Sequence, residues 1–194
     1  ADLAGVEKLP NMPQWIKNLI EKGDDKKALK FIDYLNNESS SPWKDKISMA
    51  NSSSDKGKIS QKSFVNLIKK HFLVQHNAVL FKNYDDKKLQ DIFLNYWKAL
   101  VNIIKPEDNT SVLFKYNGVC LFCMFGVHFM NKLSINSDYT VETMQKLLEK
   151  IFDNAQNDAA AARISDFWKK GGRAGGLNAS ALSKISSDLV SALH

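Results

Sequence analysis

Few of the residues that mark familiar chemistries are present in quantity. Two cysteines among 194 residues cannot frame a disulfide-stapled fold, and no secretory signal is evident, so a reducing, cytoplasmic setting is expected. Long hydrophobic runs are also missing. The longest strictly apolar run, Val119 to Val127, is nine residues, far short of the ~20 needed to cross a bilayer, so no membrane partner is expected. The phosphate-cradling pattern GxxxxGK[ST] is absent. The four histidines, His71, His76, His128 and His194, are scattered, and the acids fall mainly on helix ends and exposed faces. No nucleophile–base pair or paired-carboxylate constellation stands out, so the chain reads as non-catalytic, with no cofactor and no metal expected. His194, the last residue, belongs equally well to an expression tag. No stretch alternates apolar and polar residues, which excludes a β-sheet core.

Helical periodicity is what the chain does have. Ser111–Leu133 is its most apolar segment, and apolar residues recur on every side of a helical projection, predicting a core helix buried all round. Gly118 and Gly126, two turns apart, share a face where a neighbouring helix can approach closely. Cys120 and Cys123 form half of a zinc pattern, but no second pair exists. They read as reduced, buried, metal-free thiols. His71 and His128 read as residues at the edge of the core.

Before that segment, Asn11 caps a short helix bearing Trp15, Ile16, Leu19 and Ile20. Asp24 caps another, on which Ala28, Phe31, Ile32 and Leu35 follow the i, i+3, i+4, i+7 pattern. Residues 36–57 are rich in Ser, Asn and Asp and read as a surface loop anchored by Trp43 and Ile47. Ser60 caps a helix carrying Phe64, Leu67, Ile68 and Phe72. The clearest helix runs from Asp85 to the break at Pro106, with Leu89, Ile92, Phe93, Tyr96, Trp97, Leu100, Val101 and Ile104 as its stripe. Thr140 opens a helix with Val141, Met144, Leu147, Leu148, Ile151 and Phe152, and Asn178 or Ser180 opens a last one with Leu182, Ile185 and Leu189. The expectation is an all-α fold, one compact multi-helix domain of seven to nine helices around a buried central helix, with the 86–105 helix packed on it. With Ala1 in place of an initiator Met, residues 1–194 suggest the C-terminal part of a longer protein.

The formal net charge of +6 is uneven, with +4 in residues 1–73, −1 in 74–162 and +3 in 163–194. A basic surplus suits an anionic partner. Lys169, Lys170, Gly171, Gly172, Arg173, Gly175 and Gly176 make residues 169–178 a flexible, basic, glycine-rich loop that feeds a helix N-terminus. Free N–H groups and the helix dipole favour phosphate there, so these seven residues are the candidate nucleic-acid site. A hinge before a docking helix is the competing reading.

Several segments together resemble one family. DYLNNESSSPWKDKISM, GKISQKSFV, LNYWKALVNII, SVLFKYNGVCLF and FWKKGGRAGGLNASALSKI are similar, in order and spacing, to segments of DGQHR-domain proteins over roughly residues 30–190. That family includes the DndB-like proteins encoded with DNA phosphorothioation systems and relatives in other DNA-modification or defence clusters. Its name-giving Asp-Gly-Gln-His-Arg motif lies in an N-terminal half, and no such motif occurs here. The resemblance therefore implies the C-terminal helical half, a non-catalytic module that contacts DNA or other DNA-modification proteins. A stand-alone protein-interaction domain, or an enzyme whose site is not recognisable from sequence, is the alternative.

Overall fold

The computed structural model describes residues 23–50, 57–73 and 84–194. The short helix expected after Asn11 lies outside these residues, as does His76. Among the described residues the chain is 70% helical, with eight α-helices: α1 (Gly23–Asn37), α2 (Gln61–Ile68), α3 (Asp86–Ile104), α4 (Tyr116–Ser134), α5 (Val141–Asn154), α6 (Asn157–Ala161), α7 (Ser165–Trp168) and α8 (Ala179–Ala192). The fold class is all-α. Among the described residues the only strands are the two-residue β1 (Ile47–Ser48) and β2 (Ile59–Ser60), paired in parallel with Ile47 opposite Ile59.

Local chemistry accounts for four of these eight helix starts. Ser60 accepts from the Ser63 N–H at 3.1 Å, Asp85 from Lys88 at 2.8 Å, Thr140 from Thr143 at 3.3 Å and Asn178 from Ala181 at 2.9 Å. Each satisfies a first-turn donor that the helix cannot. Helix α3 stops at Lys105, whose left-handed backbone (φ 50°, ψ 61°) lets its N–H reach Val101 O at 2.9 Å. Pro106 has no N–H with which to extend the helix. The π-helical turn Lys69–Leu73 directly after α2 was not foreseen.

The central apolar stretch departs from one continuous helix. Val112–Phe114 forms a 3-10 turn capped by Ser111, Lys115 is extended, and α4 begins at Tyr116. Gly118 explains the break. A Cβ there would lie 2.2 Å from Leu113 O, so the turn folds back directly onto the first turn of α4. The expectation that Gly118 admits a neighbouring helix is therefore corrected: it admits the backbone just before it. Gly126 does face other elements, with the Phe72 and Tyr96 rings 3.0 and 3.1 Å from its absent Cβ. Val119, Leu121, Phe122, Phe125 and Phe129 are buried as expected. His128, read as a core-edge residue, is exposed, as is Lys132.

One apolar core runs from α1 to α8. Helix α4 lies closest along α8, and α3 closest along α5. Helices α3 and α4 meet through side chains: Trp97 packs on Phe122 with centroids 6.2 Å apart, and Tyr96 on Phe129 at 5.4 Å. Trp43 pins the long loop into this core as expected. Its fully buried ring lies 4.8 Å from Phe64, 4.9 Å from Trp97 and 5.1 Å from Phe114, so it ties α2, α3 and the 3-10 turn together.

Candidate functional site

The glycine-rich segment is built onto α4. Trp168, at the end of α7, is fully buried; its Nε1 donates to Ala162 O at 2.7 Å, and its carbonyl accepts from Ser111 Oγ at 3.2 Å. A tight turn follows, closed by the Gly172 N–H donating to Lys169 O at 2.8 Å. Gly171 has φ +80°, the left-handed region that costs glycine least. A Cβ on Gly172 would meet Asp166 O at 2.6 Å. Arg173–Gly176 then forms a 3-10 turn with Ala174 buried beneath it. Asn117 Nδ2 donates to Ala174 O at 2.8 Å and to Leu177 O at 3.2 Å, so α4 holds the segment at two carbonyls. The N–H groups of Gly172, Gly175 and Leu177 are used inside it.

Its charges are less available than the sequence implies. Lys169 pairs with Asp166 at 3.2 Å, and Arg173 donates through Nε and Nη2 to Asp158 at 3.3 and 3.0 Å. Lys170 makes no ion pair among the described residues. Of the three cations proposed from sequence, one remains uncommitted. Only folding brings Asp158 of α6 opposite Arg173.

A second basic cluster was missed. The register of β1 on β2 sets Lys46 and Lys58, one residue before each strand, side by side. Lys115 joins them, its Nζ 3.9 Å from where a Cβ of Gly57 would stand. Burial, and the repulsion of Lys58, hold the Lys115 ammonium below its ordinary pKa, against the pull of Asp108. Burial does the same to Lys46, opposed by Asp45. Lys46 Nζ lies 4.6 Å from the Phe114 ring centroid and donates to Pro42 O at 2.5 Å. These lysines stand in three of the segments that carry the family resemblance, SPWKDKIS, GKIS and LFKYNG, which was the available signal.

Both basic surfaces border the same 3-10 turn. Ser111 and Val112 face Trp168 and Gly175 on one side; on the other Phe114 lies under Lys46, and Lys115 stands beside Gly57.

Cys120 and Cys123 are both free and buried. Burial raises both thiol pKa values, away from the thiolate that metal binding or nucleophilic attack needs. Among the described residues no group of three or more His, Cys, Asp or Glu side chains is placed to hold a metal ion. No helix there is long and apolar enough to cross a membrane.

Compared with family models, curated proteins and solved structures, the chain gives no match.

Proposed function

We propose that the chain is a non-catalytic helical module of the DGQHR, DndB-like type, associated with DNA modification or defence, and that it contacts the nucleic-acid backbone. One observation carries this reading: Lys46, Lys58 and Lys115, from three separate resemblance segments, converge beside the turn that also seats the Lys169–Gly176 segment. A phosphate backbone can be met by such a group of ammonium groups without base readout. Such contacts give weak, sequence-tolerant, steeply salt-dependent binding.

The ion pairs of Lys169 and Arg173 favour a second reading, a protein-interaction module with no nucleic-acid role.

A duplex-binding titration at several salt concentrations separates the two. Wild type should bind, and Lys58→Gln with Lys115→Gln should lower the log–log salt slope by about 2. No binding at low salt, or equal slopes for both proteins, would leave the protein-interaction reading.

A further inference from the structure

A groove of about 420 Å³ opens where the π-helical turn, the first half of α4 and the start of α8 meet. Its polar rim is formed by Lys70, His71, Asn117 and Ser183, and its floor by Cys120, Met124, Leu177 and Leu182. Among the described residues that line it there is no carboxylate, although acids make up 21 of the 194 residues of the chain.

Three features bias this groove towards a negative head group. The Lys70 ammonium stands at its rim. Ala179, the first residue of the 14-residue helix α8, lies in its wall, where the helix dipole is positive. Asn178 caps the Ala181 N–H, and the N–H groups of Ala179 and Ser180 have no partner among the described residues. His71 supplies an independent pointer. It is only 9% exposed, its ring lines the groove, and it makes no hydrogen bond among the described residues. A ring placed there, with no protein partner of its own, can hydrogen-bond a ligand oxygen in the groove. Burial, then the neighbouring Lys70, lower its pKa, so near neutral pH the ring is uncharged with one N–H to donate.

The π-helical turn produces this arrangement. It sends Lys69 inward to the buried carboxylate of Asp25 and sets Lys70 and His71 on the groove. Such turns recur at functional sites.

We propose that this groove binds a small organic anion, with its carboxylate between Lys70, His71 and the N-terminus of α8 and its apolar tail along Met124, Leu177 and Leu182. A single cation beside a neutral imidazole matches one negative charge better than two. The lack of acids rejects amines, and the apolar floor rejects fully polar anions. This site is separate from the nucleic-acid reading and stands or falls without it.

The test is a titration of the full chain with octanoate, followed by backbone NMR, against octanol and octylammonium. Octanoate should saturate with Kd on the order of 1 mM, shifting Lys70, His71, Cys120 and Ala179, and octanol should bind roughly tenfold more weakly. Octylammonium should not bind. Lys70→Gln, with an unchanged melting temperature, should weaken octanoate about tenfold. Shifts that do not saturate, shifts outside the groove, or equal binding of the three ligands would overturn the proposal. The ligand series on wild type decides the matter even if the variant fails to fold.

Discussion

The Tyr96 hydroxyl donates to the backbone carbonyl of Phe122 at 2.9 Å, inside the core, and so joins α3 to α4 where their backbones do not run close. The same Tyr96 ring closes over Gly126. Burial raises the phenol pKa well above its usual value, so the proton stays on and donates. Tyr96→Phe should cost about 1 kcal/mol, the net worth of one buried hydrogen bond, measured by urea denaturation.

The two glycines of α4 should respond unequally to alanine. Either substitution gains about 1 kcal/mol of helix propensity. At Gly126 the new methyl presses on two rings that can yield, so overpacking of about 1–3 kcal/mol leaves a modest net loss. At Gly118 it meets the backbone of Leu113 at 2.2–2.7 Å, which cannot yield without undoing the 3-10 turn. Gly118→Ala should therefore lose about 3 kcal/mol or more. Equal losses in the two variants would mean that the turn does not sit against Gly118.

Asp33 should make stability fall as pH rises. Burial pushes its carboxyl up to about 6, against the opposing hydrogen bond from Gln61 Nε2 at 3.2 Å. Below the ordinary value of 3.8 both folded and unfolded forms are protonated and nothing is lost. Between there and about 6 the unfolded chain ionises first, so the native state loses ground; above that the penalty is constant. Asp33→Asn should be more stable than wild type by about 1–3 kcal/mol near neutral pH. The advantage should shrink towards zero near pH 4, as denaturation midpoints at the two pH values would show.

The thiols should be slow. Cys123 is 1% exposed, and Cys120 lines the groove. With both pKa values raised by burial, an alkylating reagent at mildly basic pH should modify at most Cys120 in the native protein and both thiols after unfolding. Mass spectrometry of the labelled peptides reads this directly. Fast native labelling of Cys123 would contradict its burial.

For the glycine-rich segment, the ion pairs change what mutation should do to any duplex binding. If Lys169 and Arg173 stay with Asp166 and Asp158, Lys170→Ala alone should lower the log–log salt slope by about 1, and adding Lys169→Ala and Arg173→Ala should change it little further. A fall of about 3 for the triple variant would mean that the acids release their partners on binding.

Much of this architecture is legible in the chain because it is local. The caps at Ser60, Asp85, Thr140 and Asn178 act within three residues, and the stripes of α1, α3, α5 and α8 repeat at the helical period. These interactions are settled by near neighbours, so sequence alone determined where α2, α3 and α5 start and which faces the helices bury; α1 already includes Asp24, read as its cap, and for α8 the structure chose Asn178 over Ser180. Only the tertiary structure decided the rest. Leu113 lies five residues from Gly118, yet whether the chain continues as helix or folds back depends on Ser111 reaching Trp168 and on Phe114 reaching Trp43. The pairing of Arg173 with Asp158, the meeting of Lys46, Lys58 and Lys115, and the groove around His71 all join segments distant along the chain. No periodicity records such contacts, because they form only when the packing of large side chains fixes how the helices lie against one another.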